Sequence, residues 1–268
     1  MEKNRPKAPL LGALILLAVI VFLYFPLMMM FFKSFTWTDE HGQMHLTFKF
    51  LLNVLNDDNL VQYLYNSFIV GITTSFIVVA IGFGAATAIS RLENKAFLKK
   101  FLKANTTLSL AFPEIVFALS LLTLFFLLKF QLSLFTVILA HVSFALPYAI
   151  ITIVASLSLI STTLDDSARD LGASDADLLF KVHFPICKSA IISSFFLSFI
   201  LSFDDFLITF FVNGVGSDTL PIKLYTAMKS GITPELNALA TLVFLFSSVI
   251  LFAITQTDFL KKHLSGKK

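Results

Sequence analysis

Charged residues are clustered along this chain, and long apolar runs separate the clusters. From Ala8 to Phe32 there are 25 residues without a charge, bounded by Lys7 and Lys33. A second run covers 67–90, a third covers 104–128 with only Glu114 inside it, and a fourth covers 134–160 and holds His141 and Pro147. The fifth, 186–212, is interrupted by Asp204 and Asp205, and the sixth is 236–257. About 20 apolar residues are needed for a helix to cross roughly 30 Å of hydrocarbon. Each run therefore predicts one spanning helix. The pattern as a whole predicts an all-α polytopic membrane protein, a single domain over 1–268 with six transmembrane helices.

The connectors are unequal. Residues 33–66 carry Trp37, Tyr63 and Tyr65 and predict an interfacial helix near Phe48–Asn56, whereas 129–133 predict a tight turn. A basic start precedes the first run. Its apolar stretch is longer than a signal peptide's and no small-residue cleavage site follows, so it reads as a retained helix.

Composition narrows the classes further. Of 268 residues 57% are hydrophobic and 14% charged, and the mean hydropathy is +0.85. Soluble domains carry about 25% charged residues, so a soluble enzyme, a nucleic-acid-binding domain and a disordered chain are excluded. One cysteine, Cys187, excludes an internal disulfide framework. The net charge of +3 says little, but its placement says more. With the amino terminus inside, fifteen of the twenty lysines and arginines fall on inside segments and five outside. The positive-inside rule then predicts both termini in the cytoplasm.

The inside segment 161–185 does not read as a plain connector. Thr163 or Ser161 can cap a helix beginning at Leu164, with Asp165 and Asp166 in its first turn. Leu164, Ala168 and Leu171 share a face at helical spacing. Gly172 stops or bends that helix, Ser174 caps a second one with Leu178, Leu179 and Val182 as its apolar face, and Pro185 ends the unit. Two short amphipathic helices hinged at a glycine suit docking on another protein.

These residues resemble a family. Asp166-Ser167-Ala168, then Gly172, then, after nine intervening residues, Val182-His183-Phe184-Pro185, is similar to the loop signature of ABC-importer permease subunits, Glu-Ala-Ala, three residues, Gly, nine residues, Ile-x-Leu-Pro. The spacing matches throughout, while Asp166, Ser167, Val182 and Phe184 replace the usual residues. Further likeness to spermidine/putrescine permeases, the second subunit type above all, lies in Ser202-Phe203-Asp204-Asp205, Leu220–Tyr225, Gly231–Thr241, Pro113–Val116 and Ala140–Phe144.

The resemblance implies an importer-type permease fold with a cytoplasmic coupling loop in the cell inner membrane. It also implies a heterodimer with a second permease, two ATPase subunits that bind ATP and magnesium, and an extracytoplasmic polyamine-binding protein. Asp166, Ala168, Leu171, Gly172, Leu178, Val182 and Pro185 would form the ATPase docking loop. The chain has no Gly-x-x-x-x-Gly-Lys-Ser/Thr. It is accordingly expected to be non-catalytic, with no cofactor of its own and no nucleic-acid partner.

Ionisable residues inside spans are costly and point to function. Glu114 and His141 fall near mid-membrane, and Asp204 and Asp205 fall toward the outer half. Three carboxylates at different depths suit a substrate with several ammonium groups, and Phe144, Tyr148 and Phe203 can add cation–π attraction. Glu114, Asp204, Asp205, Tyr148 and Phe144 are therefore the candidate pathway residues. Adjacent aspartates point about 100° apart on a helix. One of the pair faces the pathway while the other bonds to a partner or a neighbouring span, and the residues alone do not say which. Glu114 has the alternative of serving a kink at Pro113, and His141 reads as a hydrogen-bonded packing residue.

Two other classes fit less well. An ion-coupled secondary transporter should show paired repeats and would leave the 161–185 loop unexplained. A magnesium-dependent prenyl transferase would need Asp165-Asp166 and Asp204-Asp205 on one diphosphate, whereas the topology separates them across the membrane.

Overall fold

A computed structural model describes residues 8–38, 43–92, 96–229, 231 and 233–265. The chain is predominantly helical and divides into two compact units, one of residues 62–223 and the other of the segments on either side.

In the flanking unit, α1 (Ala8–Ser34) is followed by a two-stranded hairpin, β1 (Thr36–Thr38) and β2 (Met44–Leu46), paired antiparallel with Trp37 opposite His45. The hairpin was not anticipated from the apolar pattern. The short helix α2 (Lys49–Leu55) matches the expected interfacial helix, with Phe48 and Asn56 as its caps. Both α1 and α2 pack against α13 (Pro234–Ser265).

The 62–223 unit contains most of α3 (Asp58–Ser90), then α4 (Ala96–Ser109), α5 (Glu114–Leu127) and α6 (Leu134–Leu157). The loop helices α7 (Thr162–Asp170) and α8 (Asp175–Asp177) follow, with a π-helical turn Leu178–His183 and α9 (Phe184–Ile186). Next come α10 (Lys188–Phe203), α11 (Leu207–Val212) and the start of α12 (Leu220–Lys229). At the centre stands α6. Ala145 and Ala149 let Val78 of α3 pack close, and a Cβ added at Gly82 would lie 3.2 Å from that of Ala149. Small residues allow this approach between spans, where dispersion replaces the hydrophobic effect. A second cluster joins Phe125 and Ala118 of α5 to Val137 and Ala140 of α6 and to Ile208 and Val212 of α11.

Three helices are each long and apolar enough to span alone: Gly12–Ser34, Asn59–Ser90 and Leu134–Leu157. Two further candidate spans are bent helix pairs, the second of which starts well before the expected fifth run at 186–212. Lys100–Ser109 and Glu114–Leu127 meet at 101°, and Asp175–Ile186 and Lys188–Phe203 at 74°. The sixth run lies in α13, whose stretch Pro234–Val249 is apolar; among the described residues, length and composition support three to five spans. The first bend follows from Pro113, which has no N–H to continue the helix and stands as the cap before Glu114. The second lies at Cys187, which is fully buried.

Candidate functional site

The expected fifth span does not run unbroken through its aspartates. Helix α10 stops at Phe203, Asp204 caps it, and α11 restarts at Leu207. The break turns the two carboxylates to different surroundings. Asp205 is 7% exposed and its carboxylate gathers four donors. The Thr209 N–H donates to Oδ2 at 2.8 Å and the Thr209 hydroxyl at 2.9 Å, while the Ile208 N–H donates to Oδ1 at 3.3 Å. His141 Nε2 of α6 donates to Oδ2 at 3.0 Å, and its Nδ1 meets the Ser202 hydroxyl at 2.7 Å. The acceptor-only carboxylate assigns the imidazole proton to Nε2. Buried charges survive when paired and saturated with hydrogen bonds in this way.

Asp204, by contrast, is exposed. It lines an open cleft of about 340 Å³ together with Glu114, Asp205 and Phe144. Glu114, half-buried at the first position of α5, lines the same cleft as Asp205. Four of the five pathway residues expected from sequence thus meet at one cleft. Tyr148 is not among its lining residues; its ring lies 5.7 Å from that of Phe144 in a tilted pair, one turn along α6. Of the two aspartates, Asp204 opens to the cleft and Asp205 bonds to the neighbouring span. Ser202 and Thr209 were missed from sequence. Their spacings from Asp205, three before and four after, were the available signal.

The loop at 161–185 forms the hinged pair that its caps implied. Ser161 accepts from the Thr163 N–H at 3.2 Å, and α7 starts at Thr162, two residues before the expected Leu164. Gly172 takes φ +87° and ends the helix, and the Ala173 N–H returns to the Ala168 carbonyl at 3.0 Å. Ser174 and Asp177 cap each other reciprocally. The Lys181 ammonium and the Ser174 donors hold the Asp177 carboxyl well below the usual carboxylate range. Asp165 pins the two halves of the loop together by accepting from His183 Nε2 at 2.8 Å.

Two expectations for this loop need correction. Leu178 is fully buried and Val182 half-buried. The face they belong to is turned into the chain's own core, where Leu179 packs against Phe83, Ile153 and Cys187. The exposed apolar residues are Leu164, Leu171 (90% exposed) and Phe180. Nor does Pro185 end the unit. It lies inside α9, because the π-helical turn before it shifts the ladder by one residue, with the Phe184 N–H bonding Leu179. Ala168 is half-buried, and Asp166 is exposed.

The chain is similar to known proteins. Residues 79–267 match the family model of the binding-protein-dependent transport system inner membrane component. The chain is 32% identical over 238 residues to the Escherichia coli K12 spermidine/putrescine transport system permease protein PotC, covering 88% of this chain and 89% of that one. It is 31% identical to the PotC homolog of Mycoplasma pneumoniae over 91% and 90% of the two chains. It is 30% identical to the E. coli K12 putrescine transport system permease protein PotI over 85% and 84%. Among solved structures, a bacterial ABC transporter involved in the import of the acidic polysaccharide alginate superimposes with TM-score 0.70, at 18% identity over 96% and 99% of the chains. The inward-facing MetNI methionine ABC transporter gives 0.63, at 18% identity over 74% and 94%. The broken span, the capped loop and these matches converge: the chain belongs to the inner-membrane permease components of binding-protein-dependent ABC importers.

Proposed function

We propose that this chain is one of two permease subunits of an ATP-driven importer that carries spermidine, putrescine or a similar polyamine inward. The observation that carries the reading is the meeting of Glu114, Asp204 and Asp205 at one cleft within the spans. An ammonium group shedding water there exchanges it for carboxylate oxygens, and the Phe144 ring offers a cation–π face. Conduction needs several weak sites and not one tight one, and an exposed Asp204 beside a half-buried Glu114 suits that need. Both termini lie in the cytoplasm in this reading. A second permease completes the pathway, two separate ATPase subunits bind ATP and magnesium and dock on the 161–185 loop, and an external binding protein selects the polyamine.

In liposomes holding the full importer, Glu114→Gln and Asp204→Asn should each lower spermidine uptake. One charge-assisted contact is worth about 1.5–3 kcal/mol, so the expected loss is roughly ten- to a hundredfold. Co-purification of the ATPase should be unaffected. Wild-type uptake in both variants would remove the cleft from the pathway.

Gly172→Val should act on the other partner. A β-branched residue is strained at φ +87°, and relief of that strain displaces Leu171 from its exposed position. The expected result is loss of ATPase from the purified complex while the permease pair remains assembled. Retention of stoichiometric ATPase would show that the glycine hinge is dispensable for docking.

A further inference from the structure

Helix α4 breaks away from the line of α5. Lys100–Ser109 meets Glu114–Leu127 at 101°, so α4 runs across the helix that it was expected to lead into as one span. Helix α5 has 14 residues and a length of about 21 Å, short of the roughly 30 Å of hydrocarbon. A helix lying along the surface sinks its apolar side about 5–10 Å into the headgroup boundary, which makes up the difference. The neighbours of α4 place it at one end of the spans. Thr106 and Thr107 share a groove of about 330 Å³ with Ile89, near the end of α3, and with Val154, Ala155 and Ser158, at the end of α6.

The two sides of α4 differ. Leu102 and Thr106, one turn apart, are half-buried, and Thr106 meets α6 in that groove. Phe97, Phe101, Ala104 and Leu108 recur at spacings of four, three and four, which puts them on the opposite side. All four are exposed. Phe97 is 84% exposed, and its ring stacks on that of Phe101 with centroids 6.4 Å apart. Charge completes the pattern. Residues 94–113 hold Lys95, Lys99, Lys100 and Lys103 and no aspartate or glutamate, and Lys100 is exposed beside the apolar strip. A protein partner for this strip would need several carboxylates at its rim. A leaflet of acidic phospholipid supplies apolar depth and anionic headgroups together.

We propose that α4 lies in the plane of the membrane and docks on acidic phospholipid, with Phe97, Phe101 and Leu108 at the acyl boundary and the lysines at the phosphates. The leaflet is the inner one, and only that choice rests on the orientation proposed above. Docked in this way, α4 sets the depth of the start of α5 and so of Glu114.

The test is fluorescence quenching in nanodiscs of equal parts phosphatidylglycerol and phosphatidylcholine. Cys187, the chain's one cysteine, is replaced by alanine, and Ala104→Cys carries an environment-sensitive fluorophore. Leu108→Cys serves as a second labelling site on the same strip. Brominated acyl chains on phosphatidylglycerol should quench the label at least twofold more than the same chains on phosphatidylcholine, since each lysine near the surface favours acidic lipid about fivefold. Replacing Lys99, Lys100 and Lys103 together by glutamine should make the two lipids equal while quenching persists. The preference should also survive in the assembled importer. Absence of quenching by either lipid at both sites would overturn the proposal, because the strip would then face water or protein. Equal quenching with the lysines intact would overturn the acidic preference. Quenching that disappears on assembly would assign the strip to a partner chain instead. Uptake is not measured, so the transport assignment and this proposal fail separately.

Discussion

Asp205→Ala is expected to destabilise the chain by several kcal/mol, because each buried donor left unsatisfied costs about 1–3 kcal/mol. Four donors lose their acceptor together: His141 Nε2, the Thr209 N–H and hydroxyl, and the Ile208 N–H. Donors that turn away from the cleft then bear their desolvation cost unrelieved. Asp205→Asn keeps one carbonyl oxygen but places an amide N–H₂ against donors, so it should recover only part of the loss. The network can be identified by a double-mutant cycle. Because His141→Ala removes a member of the same cluster, its cost and that of Asp205→Ala should overlap and not add. Thermal unfolding of the four purified chains measures this. Costs that add within about 0.5 kcal/mol would mean that the two side chains do not share one interaction.

Gly214→Ala is the second large effect. A Cβ at this position would overlap the carbonyl oxygen and carbon of Leu132 and sit 3.0 Å from the Ser133 nitrogen. These are backbone atoms, so no rotamer change relieves the clash. The segment cannot simply retreat either. The Ser133 N–H donates to Thr136 Oγ1 at 2.8 Å, and that hydroxyl also reaches the Val212 carbonyl at 2.8 Å. Pushing Gly214 away from Leu132 therefore breaks the tie between the start of α6 and the end of α11. Overpacking commonly costs about 1–3 kcal/mol and more where backbone must move, so a loss of about 3 kcal/mol or more is expected. Gly84→Ala is the matched control. Nothing lies within 4 Å of its added Cβ, and it sits inside α3. There the gain in helix propensity should leave stability unchanged or raised by up to about 1 kcal/mol. Equal unfolding midpoints for the two alanine variants would refute the steric account.

The parts of this fold that rest on local chemistry were legible in the sequence. Uncharged runs located the apolar helices, because charge inside hydrocarbon is costly wherever the neighbours lie. Ser161, Gly172 and Ser174 marked the loop helices, because caps and positive φ are properties of a few adjacent residues. What depended on contacts between distant residues was not legible. An apolar run containing Asp204-Asp205 looks like one helix with two charges until His141, more than sixty residues earlier, is known to face Asp205. Leu178 and Leu171 are equally apolar, and only packing decides that one is buried and the other exposed. The paired strands at 36–38 and 44–46 gave no alternation strong enough to separate them from an interfacial loop. Glu114 was read correctly as an outlier in its run, but the bend at Pro113 that aims it was weighed there only as a rival explanation. In the structure the bend and the cleft occur together.

The interruption between α10 and α11 also has an electrostatic consequence beyond the two side chains. Helix α10 presents its last carbonyls at the break and α11 its first N–H groups, so opposite helix-end potentials of about half a charge each would largely cancel there. Asp205 prevents the cancellation by spending its charge on the N–H groups of Ile208 and Thr209. The positive pole is neutralised, while the carbonyl pole of α10 is left without that counterweight beside its cap, Asp204. The backbone itself thus adds a negative field at the point where Asp204 stands.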